Sequence, residues 1–188
     1  MEAPTQERTH AAVATTWTID PVHSTVEFSV KHLKVATVRG RFSGFTGTIR
    51  FVSGRPALVE AVIDAASIDT GIQKRDNHLR SSDYLDVTTY PTIAFRGTSF
   101  RPVNANGRTG WIVQGALTIH GVTQPVELKV EQLGIQDPDA TDVLEFGATS
   151  RIKRSAFGMT FSLPIEGGGL VVADEITIAL GIKAHRPT

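Results

Sequence analysis

A two-residue hydrophobic period, sustained from Trp17 almost to the C-terminus, constrains this chain more than any other feature. Val26, Phe28 and Val30 alternate with Thr25, Glu27 and Ser29. Val126, Leu128 and Val130 alternate with Glu127, Lys129 and Glu131, and Ile176, Ile178, Leu180 and Ile182 with Glu175, Thr177, Ala179 and Gly181. Ile93 and Phe95, Val113 and Gly115, Leu117 and Ile119, Phe146 and Ala148, and Ile152 between Arg151 and Lys153 repeat the pattern. Successive side chains of a strand point to opposite faces, so this alternation predicts strands with one buried face and one wet face.

Turn signals separate the runs: Asp20-Pro21, Ser53-Gly54-Arg55-Pro56, Asn104-Ala105-Asn106-Gly107, Asp137-Pro138-Asp139 and Gly167-Gly168-Gly169. About eight strands joined by short polar turns make an antiparallel sheet that closes into a barrel or packs as a sandwich. Only Ile72–Leu85, IQKRDNHLRSSDYL, breaks the period. Ile72, Asp76 and Leu79 fall at helical spacing, and Asp69 or Thr70 precedes them as a cap, which predicts a short helix over about residues 72–85 covering one barrel opening. Residues 1–15 are polar and alanine-rich and read as a loose tail. Residues 16–184 read as one domain, as the length of 188 residues suggests.

Composition excludes several function classes. The 19 basic and 19 acidic residues balance, and no basic arm exists, so the electrostatic footprint of a nucleic-acid binder is missing. The absence of cysteine removes disulfides, thiolate metal sites and cysteine nucleophiles. No stretch approaches the roughly 18 to 20 apolar residues of a spanning helix. The longest apolar run near the N-terminus, Ala11–Ala14, is too short for a signal peptide. The expectation is a cytoplasmic protein without stable membrane insertion.

Catalytic signatures are scarce: no GxSxG, P-loop, HExxH or helix-opening GxGxxG is present. The glycines of Gly40–Gly44 and Gly44–Gly47 lie inside strand-like sequence, where a bend or bulge explains them better than phosphate binding. No two of the six histidines stand three or four apart, so no helical metal pair exists, and none is assigned to a metal. The aspartates from Asp64 to Asp86 surround Arg75 and Arg80, which suggests capping and surface pairing rather than acid–base work. Ser24, Ser81 and Ser82 show no base or orienting acid beside them. Phe28, Phe42, Phe45, Phe51, Phe95, Phe146, Phe157 and Phe161 are spread along the strand-like segments. Periodicity alone leaves open whether they fill a solid core or line a cavity.

Several motifs resemble the YceI-like family in order along the chain. Trp17–Val30 (WTIDPVHSTVEFSV), Lys31-His32-Leu33 and Val38–Gly47 resemble its opening. Ala66–Gly71 and Lys74–Ser81 resemble its helix region, Tyr90–Phe95 the strand after it, Gly115–Val126 a recognisable hairpin, and Arg154–Met159 with Asp174–Ile176 the closing segment. The resemblance covers about Trp17 to Ile182. It implies an elongated eight-stranded antiparallel barrel, lipocalin-like in shape, with one short helix over the barrel. It also implies a tunnel-like apolar interior that takes a polyisoprenoid or isoprenoid-quinone chain. Many relatives are exported to the periplasm, and this sequence departs from them in showing no signal peptide.

Eight strands enclose just enough room for packed side chains or one slender ligand. Burying ten chain carbons is worth roughly 8 kcal/mol gross, at about 0.8 per methylene. Association costs some 4 to 15 kcal/mol, so only a long chain binds well. The leading expectation is binding and sequestration or transport of a long isoprenoid lipid, with no other cofactor and no catalysis. An enzyme acting on such a lipid through His32, His78 and Arg75, and a ligand-free stress-related structural protein, are the alternatives. The expected wall is Phe28, Val30, Phe42, Phe45, Phe95, Leu117, Ile119, Phe146, Ile176 and Ile178, with Gly115 and Ala148 leaving room. The expected mouth is His32, Arg75, Asp76 and His78, with Leu79 pointing inward. The expected partner is a long apolar small molecule, with a homodimer left open.

Overall fold

The structure, a computed structural model, describes residues 13–32, 36–105, 108–133, 142–163 and 172–186. The tail residues 1–12, and the turn signals at 106–107, 137–139 and 167–169, lie outside the described residues. Eleven strands appear among those described: β1 (Ala14–Ile19), β2 (Thr25–His32), β3 (Ala36–Phe42), β4 (Phe45–Val52), β5 (Arg55–Asp64), β6 (Ile68–Asp69), β7 (Thr92–Ala105), β8 (Arg108–Ile119), β9 (Val122–Gln132), β10 (Val143–Lys153) and β11 (Val172–His185). One helix, α1, spans Gln73–Arg80. Ala14 and Thr15 already pair with Val52 and Phe51, so the barrel starts two residues inside the expected tail.

The strands join end to end into eight. β1 and β2 both pair with β11 and run the same way along it, so they are one strand with a break. β3 continues into β4, and β5 into β6, with breaks at matching heights. Every neighbouring pair is antiparallel, and β1 closes on β11 through Thr18–His185 and Ile19–Ala184. The result is a closed eight-stranded antiparallel barrel with one helix.

Local chemistry makes each break. Asp20 accepts from the Val22 and His23 backbone N–H groups at 2.8 and 3.3 Å, forming a side-chain-closed turn. Ser24 Oγ then bridges Lys183, donating to its carbonyl at 3.2 Å and accepting from its N–H at 2.9 Å, which replaces ladder bonds lost at the break. Asp64 caps a single 3-10 turn, Ala65–Ser67, by accepting from the Ala66 N–H. Gly44 stands opposite that turn, where an added Cβ would come within 3.3 Å of both Asp64 and Ser67. Each break also flips the inward parity. Trp17 and Ile19 point in before the first, Val26 and Phe28 after it; Phe42 points in before the second, Phe45 after it.

Of two tight hairpins, the first follows a turn signal in the sequence and the second lies where the family resemblance implied a hairpin. Ser53-Gly54 and His120-Gly121 have paired positive φ values of 50° and 73°, and 51° and 70°, the signature of a two-residue turn that matches strand twist. The helix is shorter than the expected 72–85. Ser81 leaves helical conformation, with φ −72° and ψ 173°, and its hydroxyl donates to the His78 carbonyl. Chain 81–90 then folds back as turns, with Leu85 and Val87 donating to the Leu79 and Arg80 carbonyls.

Apolar packing divides into two clusters along the barrel axis. One holds Trp17, Ile19, Phe51, Leu144, Phe146 and Ala184 at the end where β1 begins. The other holds Ile68, Leu85, Leu117, Ile152, Phe157 and Met159 beneath the helix.

Candidate functional site

Between and through the two clusters runs an apolar cavity of about 260 Å³. Eight strands are the number at which a barrel interior accommodates one small ligand. On β8 the lining residues run from Trp111 to Ile119. Eight residue steps cover roughly 26 Å along a strand at ~3.3 Å per residue, or roughly 20 Å along the axis of a barrel with typical strand tilt. The space is therefore long and narrow. Its aromatic residues line a void as well as filling a core, which periodicity left undecided.

Phe28, Phe42, Phe45, Phe95, Leu117, Ile119, Phe146, Ile176 and Ile178 all line this cavity. Phe42 and Phe45 do so together despite their opposite parity, because the break at Ser43–Gly44 turns the strand between them. Val30 is the exception and stands outside the lining. It pairs with Ile176, where β11 carries an irregularity in register between Val172 and Ile176. Ala148 lines the cavity as a small residue. Gly115 does not leave open space: a Cβ there would fall 2.7 Å from the Phe95 ring, which already occupies the position.

The expected mouth is built differently from the sequence reading. Leu79 reaches the lining, but His32, Arg75, Asp76 and His78 do not. Arg75 fastens the loop before the helix, donating from Nε to Thr70 Oγ1 at 2.7 Å and from Nη2 to the Thr70 carbonyl at 2.9 Å. The fastening partner is thus a threonine rather than the carboxylate expected for a structural role. Asp76 is buried and accepts from the Thr70 N–H at 3.0 Å and from the Thr70 hydroxyl. Neither Asp69 nor Thr70 caps α1; its N-cap is Ile72, and Asp69 accepts instead from the Gly71 N–H and Arg41. Arg80 ties the helix to the barrel through the Ala66 and Ile68 carbonyls at 2.8 and 2.6 Å. His78 pairs with Asp83 at 2.8 Å and meets the Tyr84 and Phe161 rings edge-on. His32 ends β2, opposite Ala36 and Val172. Arg75, Asp76, His78 and Arg80 thus bond within the helix region or to the strands beside it, and none of them, nor His32, reaches the cavity lining.

Sequence reasoning missed the cavity's helix-end lining: Tyr84, Leu85, Met159 and Arg154. Arg154 carried a legible signal, since it continues the inward parity of Phe146, Ala148, Ser150 and Ile152. Tyr84 carried none, because its place depends on the turn after α1. Burial pushes the Tyr84 hydroxyl's pKa up, and the Arg154 charge opposes that only in part. The group is a protonated donor at neutral pH. Among the described residues, no three His, Cys, Asp or Glu side chains converge as a metal site, and no helix is long and apolar enough to cross a membrane.

Comparison with known proteins agrees with this architecture. A family model described as the YceI-like domain matches residues 17–184. A UPF0312 protein of Pseudomonas aeruginosa is 37% identical over 144 residues, covering 75% of this chain and 73% of its own length. One from Vibrio parahaemolyticus is 32% identical over 164 residues, covering 86% of this chain and 82% of its own length. The crystal structure of BcnA from Burkholderia cenocepacia superposes with a TM-score of 0.74 at 26% identity, covering 88% of this chain and 98% of that one. A polyisoprenoid-binding domain from Saccharophagus degradans superposes with a TM-score of 0.69 at 15% identity, covering 92% and 99%, a likeness of fold.

Proposed function

The chain belongs to the YceI-like family, and from that premise we propose that it binds one long isoprenoid lipid, a polyprenyl chain or an isoprenoid quinone, and sequesters or carries it. The observation that carries this reading is the long apolar cavity itself. A solid β-barrel core packs with few voids larger than a water molecule. Here the inward side chains from Phe51 and Trp111 at one end to Leu79 and Leu85 at the other surround open space. Such a void loses dispersion contacts on its walls, and a slender apolar chain restores them. The Saccharophagus protein that shares the fold is a polyisoprenoid-binding domain, which supports the ligand class. Binding rather than catalysis is favoured because His32, His78 and Arg75 stand outside the lining, and two of the three are held by Asp83 and Thr70.

The test is to block the tunnel. Ala148 lines the cavity between Leu180 on β11 and Val130 on β9. Ala148→Trp places an indole in the void. The purified wild-type protein should carry a long-chain lipid adduct in native mass spectrometry, identifiable after extraction. The variant should lose the adduct while unfolding at close to the wild-type temperature. A filled core would instead lose about 1 to 3 kcal/mol of stability to overpacking. A folded variant that keeps the full lipid load would refute a ligand at that depth.

A further inference from the structure

At the helix end the cavity wall stops being all carbon. Arg154 lines it and is only 3% exposed. Its guanidinium donates to main-chain carbonyls alone: Met159 at 2.6 Å, Phe161 at 2.8 Å, Ala173 at 3.2 Å and Val172 at 3.4 Å. Among the described residues no carboxylate forms an ion pair with it. The nearby Asp174 is engaged by the Ser155 N–H and hydroxyl. Those four bonds use Nε, both Nη1 hydrogens and one Nη2 hydrogen, leaving one of the five guanidinium N–H donors. Tyr84, 8% exposed and also on the lining, has a hydroxyl with no hydrogen-bond partner among the described residues.

The Asp174 carboxylate attracts the Arg154 charge from a distance without a direct bond to it, and a buried charge whose direct bonds all go to dipoles is costly unless a counter-ion reaches it. Here the wall beside that charge is open to whatever enters the barrel. The other polar groups on the lining are otherwise engaged. Ser150 Oγ donates to the Glu127 carbonyl at 2.7 Å, and Glu27 is exposed on the outward parity of β2. At the far end the wall is Phe51, Pro56, Val59, Phe100 and Val130, with no charge to meet a polar group.

We propose that Tyr84 and Arg154 form an anchor for a terminal oxygen acceptor, an anionic one above all, carried by the ligand. The ligand then lies with its polar end beneath α1 and its chain toward Phe51 and Trp111. An oxygen at that place accepts from the Tyr84 hydroxyl and the remaining Arg154 N–H. The reverse orientation strands the same oxygen among carbon atoms. Carboxylate and phosphate ends share the required chemistry, and a quinone carbonyl satisfies it without the charge. The inference rests on the binding function proposed above and adds the ligand's direction and the class of its end group.

The experiment compares two probes of one skeleton: phytanic acid, an isoprenoid carboxylate, and phytane, its parent hydrocarbon. Each displaces the neutral fluorophore N-phenyl-1-naphthylamine from the full-length protein. Wild type should prefer the acid by about tenfold or more, the value of one charge-assisted hydrogen bond. Tyr84→Phe should cut that preference several-fold and leave phytane binding unchanged. Arg154→Met should erase it. If that variant fails to fold through loss of its carbonyl bonds, Tyr84→Phe still decides the matter, with Arg154→Lys as the charge-keeping control that retains part of the preference. Equal binding of acid and hydrocarbon by wild type, or a preference that Tyr84→Phe leaves intact, overturns the anchor while the binding function stands. A wild type that binds neither probe overturns the binding function itself.

Discussion

At the end of the barrel where β1 begins, Trp17, Leu144 and Ala184 are fully buried on paired strands. Trp17 meets Phe51 edge-on at 6.5 Å, and the Arg186 guanidinium lies over its ring, 5.2 Å from the centroid. At the helix end Phe157 is as deeply buried, but a 3-10 turn carries it, not a strand. There the closure is made by Leu79, Tyr84, Leu85 and Met159, all on segments outside the strand ladder. Polar bonds hold those segments in place: Arg75 and Asp76 on Thr70, Arg80 on Ala66 and Ile68, Arg154 on four carbonyls. One end is thus a floor of strand-borne apolar packing. The other is a roof of short segments fastened one by one. Closed ladders open only with the whole barrel, whereas segments with few apolar contacts open locally at lower free energy.

The largest effect expected from breaking this contrast is at the floor. Trp17→Ala should lower unfolding stability by about 3 to 5 kcal/mol, the usual cost of removing a buried aromatic residue. Leu79→Ala, at a half-buried position beneath the roof, should cost less than ~2 kcal/mol, below the range for fully buried leucines. Denaturant titration of both variants checks the pair, and equal losses would mean that the two ends are not held differently.

A smaller effect is expected at the roof's fastening. Asp76→Ala removes the acceptor for the Thr70 N–H and hydroxyl and frees the loop that Arg75 grips. The loss should be about 1.5 to 3 kcal/mol, as for hydrogen bonds to a buried charge. Hydrogen exchange should rise in residues 69–85 and stay unchanged around Trp17. Exchange rising equally at both ends would contradict local fastening.

The smallest effect is pH dependence, and it separates the ends by carboxylate. The hydrogen bond from the His23 side chain at 2.7 Å is the main force holding the Asp20 carboxyl well below the usual carboxylate range. Burial pushes the other way, and the Val22 N–H, His185 and the His23 N–H add to the lowering. At the helix end the Gly71 N–H and then Arg41 hold Asp69 down. For Asp174 burial pushes up, but the two Ser155 bonds and the Arg154 and Lys153 charges outweigh it. A folded pKa below the unfolded value near ~3.9 gives stability that is complete above that pH and lost as pH falls toward the folded value. Asp20→Asn should therefore lower the melting temperature at neutral pH and flatten its decline below about pH 4. Asp69→Asn should flatten it less. An unchanged acid limb in Asp20→Asn would show that the His23–Asp20–His185 contacts contribute nothing.

The amino-acid sequence by itself determined the strands, their inward parity within each unbroken run, and the turn at Ser53-Gly54, while the hairpin at His120-Gly121 came from the family resemblance. These are local properties, set by alternation and by residues tolerant of positive φ. Within unbroken runs they agree with the lining found, Val30 and Gly115 excepted, whereas Phe42 and Phe45, of opposite parity, both reach it only through the break at Ser43–Gly44. Tertiary structure decided what alternation cannot carry. The breaks at Asp20–Ser24, Ser43–Gly44 and Ala65–Ser67 stand at matching heights on neighbouring strands, an alignment that alternation within one segment does not encode. Whether the phenylalanines fill or line the interior depends on the volume left between strands distant in sequence, which no single segment encodes. The same holds for the meeting of Tyr84 with Arg154, seventy residues apart. Arg154 shows only its inward parity and Tyr84 shows no signal in its own segment, and only closure of the barrel brings the buried guanidinium and the Tyr84 side chain to one wall.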